Sequence, residues 1–355
     1  MKKVFLLVAV VGLFVGCVEK GKLLPNASGT AFEVLVVIDD NDWKNPCGKA
    51  VSDMLNTDVP NLPQAEPMFK ISHVPHANFD SYLRPARNLI IVSISPEKYT
   101  QAKVVYSEER WAKTQAIVSL NAPTQAELTA LVEKEQENII RYFVEKERER
   151  FANYLKKKHN SNKTKKAYEK FGIEINVPSD MCQIKEGKNF LWFTNASPKN
   201  RQDIVIYSYP YTSEDMFTLD RLVETRDSVL KENVPGPEKD SYMGTETYYE
   251  KPVLNEFLHN EAYCAEVRGL WKIYNGSLMG GPFVSLSRLD EIHQRIVTIE
   301  GFVFAPGKDK RNYIRQLEAA IYSAKMPQEI KKIVEKKKKK KANSLIEKKE
   351  NGTIL

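Results

Sequence analysis

The N-terminus carries an apolar run that limits the classes of protein to which the chain can belong. Lys2 and Lys3 precede it, and residues 4–15 are apolar throughout apart from Gly12. A run of this length is too short to cross a hydrocarbon core of roughly 30 Å as a helix. Placed behind a short positive region, it is typical of a secretory signal peptide, which we assign to residues 1–16. The alternative is a core helix that happens to precede Cys17.

The run ends in Phe14-Val15-Gly16-Cys17, which resembles the lipobox of bacterial lipoproteins. The resemblance implies that Cys17 receives a lipid and becomes the mature N-terminus, so residues 17–30 would form a lipidated tether. Two or more acyl chains anchor a protein stably where one does not. We therefore expect a membrane partner and a lipid-anchored protein of the cell envelope. The expected site is the outer membrane, on its periplasmic or its surface side.

The net charge of +7 is concentrated near the C-terminus. Residues 331–355 hold ten Lys and three Glu, so they alone account for the whole excess, while residues 18–330 sum to −2. A nucleic-acid-binding domain needs a basic footprint on a folded face, so we expect no nucleic-acid partner. Residues 328–355 are predicted to be a disordered Lys-rich tail. The alternative is a tail that binds anionic lipid headgroups.

The remaining chain predicts an α+β fold with two mainly antiparallel sheet units and packed helices, following the lipoprotein signal peptide. An N-terminal α/β unit with a long helix covers residues 31–165, and a C-terminal α+β unit covers residues 166–327. The long helix begins with capping-box chemistry at Thr124 and Glu127 and extends to about residue 158. The alternating segment 171–178 predicts the first strand of the second unit.

The cysteines allow at most one disulfide bond in the body. Once Cys17 is lipidated, Cys47, Cys182 and Cys264 remain, and three cysteines permit three different pairings. Their spacings are too wide for a metal knuckle or a redox motif. Buried free thiols are the favoured interpretation for at least two of them.

Two clusters stand out as candidate sites, and neither predicts catalytic residues or a cofactor. The first mixes cations, a carboxylate and aromatic rings, and it could line a ligand groove: Glu266, Arg268, Trp271, Lys272 and Tyr274. On a strand, Glu266, Arg268, Lys272 and Tyr274 would share one face, and Trp271 would lie on the other. A cross-strand ion pair on a sheet face is the alternative. The second consists of carboxylates that could hold Ca²⁺ or Mg²⁺: Asp39, Asp40 and Asp42. Helix capping and a solvated loop are the alternative there.

Several blocks of the chain stand out together: residues 34–43, Tyr207–Thr212, Glu266–Lys272, Met279–Phe283, Glu300–Pro306 and Lys310–Arg315. Together they resemble a Bacteroidota-type envelope lipoprotein family, described as a domain of unknown function. The resemblance implies a lipid-anchored envelope protein and brings no known activity, substrate or catalytic residues.

Two functions remain open at this point. The first is a binding or structural component of the envelope, whose partner is another envelope protein or a glycan. The second is an envelope hydrolase that uses carboxylates or a divalent cation. The absence of a GxSxG, HExxH, GxGxxG or P-loop motif favours the first.

The lipid anchor predicts a clear result for Cys17→Ala. Because the acyl chains attach to the thiol, the variant should accumulate as uncleaved precursor and incorporate no radiolabelled fatty acid. Cys182→Ala serves as the control and should be processed and labelled like the unmodified protein. Normal labelling of Cys17→Ala would show that the lipid is attached elsewhere or not at all.

Overall fold

A computed structural model of the chain describes residues 23–259 and 261–351, with side chains described up to residue 340. It contains one mixed and one antiparallel sheet, each with packed helices. The predicted α+β class is therefore confirmed. The predicted signal peptide and Cys17 lie outside the described residues. Within the described ranges, no helix combines the length and apolar character needed to cross a bilayer.

The N-terminal unit is built on a sheet with the strand order β2-β1-β3-β5-β4. β1 is parallel to β2 and β3, β3 is parallel to β5, and the edge strand β4 is antiparallel to β5. The elements are β1 (Glu33–Val37), α1 (Asp40–Lys44), α2 (Pro46–Leu55), β2 (Lys70–Val74), β3 (Asn88–Ile94), β4 (Lys103–Glu108), β5 (Ala116–Ala122) and α3 (Gln125–Lys157).

This mostly parallel pairing differs from the antiparallel pairing predicted for both units. Antiparallel neighbours need only a short turn, whereas parallel neighbours need a crossover of a dozen or more residues. Residues 38–69 supply one crossover through α1 and α2, and residues 75–87 carry the chain from β2 past β1 to β3. Both connections are long enough to allow the parallel pairing.

The helices α2 and α3 cover the same face of the N-terminal sheet. Val34, Val36 and Ile38 pack there against α2 and the first half of α3. The opposite face is covered by the chain after β2 and by Trp111. As predicted, the side chain of Thr124 accepts a hydrogen bond from Glu127 N (3.3 Å) at the start of α3.

The C-terminal unit contains an eight-stranded antiparallel sheet. Its order is β10-β11-β12-β13-β8-β7-β6, and β9 pairs with the end of β11. The elements are α4 (Ser161–Phe171), β6 (Gln183–Gly187), β7 (Phe190–Thr194), β8 (Arg201–Pro210), α5 (Leu219–Asn233), β9 (Tyr242–Glu246), β10 (Val253–His259), β11 (Ala262–Tyr274), β12 (Gly280–Asp290), β13 (Arg295–Phe304), α6 (Arg311–Tyr322) and α7 (Pro327–Asn351).

Helices bury both faces of this sheet. α6 and α4 cover one face, and the end of α3 reaches the same core through Phe151 and Leu155. α5 covers the other face. On that side the buried Arg226 makes two hydrogen bonds to Glu300 (2.7 and 2.8 Å), and its guanidinium lies 3.7 Å from the centre of the Phe283 ring. α3 therefore contributes to the cores of both units.

Two predicted segments adopt other conformations. Residues 171–178 form no strand, although the alternate residues Ile173, Ile175 and Val177 are buried as a strand pattern would require. Residues 161–171 form α4, which crosses the unit boundary predicted at residue 165. Asn160 accepts a hydrogen bond from Lys163 N (3.2 Å) as the N-cap of α4.

The Lys-rich tail is helical over Pro327–Asn351, in contrast to the disorder predicted for residues 328–355. Its first turn is tied to the body, because Glu329 pairs with Arg288 (2.9 Å) and Gln328 donates to Leu289 O (2.8 Å). Lys is a good helix former, so a helix started by these contacts can continue through the lysines. The charge composition of the tail alone does not predict that a helix begins here.

Cys47, Cys182 and Cys264 are all free thiols. Cys47 and Cys264 are buried, and Cys182 is exposed. The interpretation that at least two of the three are buried free thiols is therefore confirmed.

The packing of α6 on the sheet predicts the effect of Gly301→Ala. A Cβ at this position of β13 would lie 2.7 Å from Leu317 Cβ and 3.1 Å from Ile321 Cδ1 on α6, so the helix must shift. We expect a loss of about 1–3 kcal/mol in the free energy of unfolding, measured by urea denaturation. An unchanged denaturation midpoint would mean that α6 does not pack closely at this position.

Candidate functional site

A cavity of about 650 Å³ lies in the C-terminal unit. We call it the sheet-end cavity, because it lies where β8 and β12 end and β11 begins. Apolar and aromatic side chains form most of its wall. The lining residues are Tyr211, Glu214, Phe217, Thr218, Leu219, Leu254, Glu256, Ala262, Tyr263, Arg288, Leu289, Glu291 and Gln328. This volume and composition are typical of small-molecule sites.

Two polar side chains in the wall, the buried Arg288 and the partly buried Gln328, are only partly satisfied. The guanidinium of Arg288 pairs with Glu329 (2.9 Å) and donates to Ala324 O (3.3 Å), but its Nε has no acceptor among the described residues. Gln328 donates through Nε2 to Leu289 O, while its Oε1 has no donor within the same ranges. Buried polar atoms are usually hydrogen-bonded, so this donor and this acceptor can each take one further hydrogen bond, to water or to another molecule.

The rim of the sheet-end cavity is acidic and aromatic. Glu214, Glu256 and Glu291 are exposed there. The Tyr263 hydroxyl donates to Glu256, and its ring packs edge-on against Phe217 at 5.1 Å. Burial and the Glu256 carboxylate raise the pKa of Tyr263 well above its usual range, so this hydroxyl stays protonated. Since Arg288 is already paired with Glu329, the cavity as a whole favours uncharged or cationic ligands over anions.

The five residues predicted as a ligand groove do not line one common groove. Glu266 and Arg268 share one face, as expected, and are joined by two hydrogen bonds of 2.7 and 2.8 Å. Both are buried. Trp271 lies on the other face and donates to Val303 O (3.2 Å). Lys272 pairs with Glu246 (2.9 Å) and lies 4.7 Å from the centre of the Tyr274 ring.

Glu266 and Arg268 belong to a buried ion cluster that connects the two units. At its centre Glu318 of α6 contacts Arg148 of α3, Arg268 of β11 (3.1 Å) and Arg315 of α6 (3.0 Å). The Tyr322 hydroxyl donates to Glu266 (2.6 Å). Burial raises the pKa of Glu318, but the three arginines overcome this effect and hold the pKa well below its usual range. These residues thus form an enclosed network rather than an open groove.

The three candidate metal ligands after β1 make separate contacts. Asp39 accepts a hydrogen bond from His76 N (3.2 Å), Asp42 accepts from Gln125 Nε2 (2.6 Å), and Asp40 lies 3.6 Å from His73 Nε2. In the parts of the chain that the structure describes, no three His, Cys, Asp or Glu side chains converge as a metal site. The three carboxylates therefore make separate loop contacts, and the side chain of Asp39 at the N-cap of α1 makes no capping hydrogen bond.

Sequence reasoning missed most of the sheet-end cavity. Its lining comes from the β8–α5 connection, β10, β11, β12 and the start of α7, and these segments are distant from one another along the chain. Tyr211 lies in one of the blocks that carry the family resemblance, but nothing in the sequence singles out Arg288 or Gln328. Their positions depend on the pairing of β12 and on the contacts at the start of α7.

Two family models match the chain. Residues 27–156 match a domain of unknown function (DUF8532), and residues 160–323 match another domain of unknown function (DUF4837). No curated protein matches the chain. The two matches agree with the expectation of a domain-of-unknown-function family. The sheet-end cavity lies within the second match except for Gln328, and the ion cluster around Glu318 draws residues from both.

The ion cluster predicts a large, pH-dependent effect of Glu318→Gln. The variant leaves three buried arginines without their shared carboxylate, so we expect a loss of about 3–5 kcal/mol in the free energy of unfolding at pH 7. Because the pKa is lower in the folded state than its ordinary value of 4.5, the carboxylate contributes fully above about pH 4.5. Its contribution then declines as the pH falls further, and the difference between the two proteins should shrink.

The control is Glu174→Gln, which makes the same chemical change in a half-exposed pair with Lys325 (3.0 Å). Its effect should stay below about 1 kcal/mol. Urea denaturation at several pH values measures both variants. Equal losses for Glu174→Gln and Glu318→Gln would contradict a central role of the buried cluster.

Proposed function

We propose that this protein is a lipid-anchored component of the cell envelope, attached to the outer membrane through Cys17, that binds an amphipathic ligand in the sheet-end cavity. The observation that carries the binding role is the combination of a 650 Å³ aromatic and apolar cavity with two buried polar atoms that lack partners. No catalytic constellation accompanies this combination among the described side chains. Binding is therefore the function that the geometry supports best.

Backbone contacts near the start of the body support a position close to the membrane. Lys113 N donates to Pro25 O (2.8 Å), and Arg87 N donates to Ser28 O (2.9 Å). The predicted tether is thus bound to the N-terminal unit from Pro25 onwards. Between Cys17 and Pro25 the chain can extend by at most about 3.6 Å per residue, so the anchor would keep the body within roughly 30 Å of its attachment point.

The chemistry of the cavity limits the ligand. Its walls favour apolar and ring-shaped groups, and its acidic rim repels anions. An amide or hydroxyl group could accept a hydrogen bond from Arg288 Nε and donate one to Gln328 Oε1, once these side chains turn toward the cavity. A glycan or a segment of another envelope protein combines these groups, and we propose these as the partners.

A pair of leucines on β10 tests the binding role. Leu254 lines the sheet-end cavity, whereas Leu258 on the same strand is 74 % exposed and lies outside it. We expect the mature chain, prepared without lipid, to bind the neutral dye Nile red with saturation at one site. Leu254→Gln should weaken this binding about tenfold or more, because burial of a Leu contributes about 1.5–3 kcal/mol.

Leu258→Gln should leave the affinity for the dye unchanged. The affinities are measured by fluorescence titration, and the circular dichroism of both variants checks the fold. If both variants bind like the unmodified chain, the sheet-end cavity is not the binding site and the proposal fails.

A further inference from the structure

A second cavity of about 200 Å³ lies between the two units, and we call it the junction cavity. The N-terminal unit contributes Arg87, Glu147 and Arg150 to its wall, and α6 of the C-terminal unit contributes Asn312, Arg315 and Gln316. The rest of the wall is apolar and aromatic and comes from Ala31, Phe32, Phe151 and Tyr154. The guanidinium and amide groups distinguish this cavity from the sheet-end cavity with its acidic rim.

Positive charge exceeds negative charge in the wall of the junction cavity. Glu147 is the one carboxylate in this wall, and both of its oxygens already accept hydrogen bonds. Its Oε1 accepts hydrogen bonds from Asn88 Nδ2 (2.7 Å) and Arg150 Nη1 (2.8 Å), and its Oε2 accepts one from Arg87 Nη2 (2.7 Å). Three arginines thus share this wall with one carboxylate. The ion-pair partner of Arg315 lies outside the wall.

The adjoining ion cluster does not remove this excess. Arg315 shares Glu318 with Arg148 and Arg268, and only Glu266 adds a further carboxylate to that cluster. The two groups together hold five arginines and three glutamates, all of them buried or mostly buried. Uncompensated buried charge is costly, so this region favours a further anion.

Unused donors point to the same conclusion. Arg315 is only 8 % exposed, and its Nε has no hydrogen-bond partner in the described part of the chain. Its Nη2 contacts only the weak acceptor Met68 Sδ (3.2 Å). The Nε of Arg87 is also buried without a partner in the same ranges. Burial lowers the pKa of Arg315, and the nearby Arg268 and Arg148 act against the effect of Glu318, as expected where cations are in excess.

We propose that the junction cavity binds a small oxyanion of the phosphate type, held by Arg315 and Arg87, whereas Arg150 already donates from every nitrogen of its guanidinium to acceptors on the protein. Guanidinium groups recognise such anions through paired, charge-assisted hydrogen bonds. The amides of Asn312 and Gln316 add further donors from α6. The volume of about 200 Å³ limits the ligand to a free ion or to the terminal phosphate of a larger molecule. The site is separate from the sheet-end cavity and does not depend on the proposed function.

Calorimetric titration of the full chain in detergent tests the site, with inorganic phosphate as the probe and the ionic strength balanced by chloride. Saturable binding of one phosphate per chain is expected. Arg315→Gln should weaken it at least about tenfold, because a charge-assisted hydrogen bond is lost. The control Arg221→Gln removes an exposed arginine of α5 and should bind like the unmodified chain. No saturable heat, or equal affinity in Arg315→Gln, would overturn the proposal.

A second variant keeps the test decisive if Arg315→Gln fails to fold. Gln316→Glu brings a carboxylate into the wall of the junction cavity without touching the ion cluster. It should abolish phosphate binding and raise the thermal unfolding midpoint in phosphate-free buffer, since it supplies the missing negative charge. Unchanged phosphate affinity in this variant would refute the site.

A second titration uses glycerol 3-phosphate. It distinguishes a free phosphate ion from the terminal phosphate of a larger molecule. Tighter binding than inorganic phosphate would identify the terminal phosphate of a larger molecule, and weaker binding would identify the free ion. Both results support the oxyanion site, whereas failure of both ligands to bind would refute it. None of these outcomes affects the dye-binding test of the sheet-end cavity.

Discussion

The buried carboxylate of Glu318 joins elements from both units of this protein. It lies fully buried among Arg148, Arg268 and Arg315, which belong to α3, β11 and α6. Burying one acid with three cations is favourable only if their geometry is maintained, so each element restricts the position of the others. α3 strengthens the connection because its first half packs on the N-terminal sheet and its last turns enter the C-terminal core.

A second buried carboxylate orients α6 from the opposite side. Glu66 of the N-terminal unit accepts hydrogen bonds from Lys310 N (2.7 Å) and Arg311 N (2.7 Å) at the start of α6. A negative charge at a helix N-terminus satisfies free N–H groups and is favoured by the helix dipole. Glu66 and Glu318 hold two positions along one helix, and this helix forms one wall of the junction cavity. The shape of that cavity thus follows from contacts between the units.

The two cavities differ in chemistry because their walls come from different parts of the fold. The sheet-end cavity lies within the C-terminal unit, where strand ends and loops leave aromatic and apolar side chains uncovered and Glu214, Glu256 and Glu291 form the rim. The junction cavity exists only where both units meet, and its arginines come from both. An uncharged amphipathic ligand suits the first, and a small anion suits the second.

The sequence by itself determined the features that depend on neighbouring residues. These include the α+β class, the cap of α3 at Thr124 and Glu127, and the placement of Glu266 and Arg268 on one face of a strand, since each follows from spacing along the chain. The parallel pairing of the N-terminal sheet, the helical start of the Lys-rich tail at Glu329 and the partners of Arg288 and Arg315 were decided by tertiary structure alone. They depend on contacts between segments far apart in the chain, and spacing carries no information about such contacts.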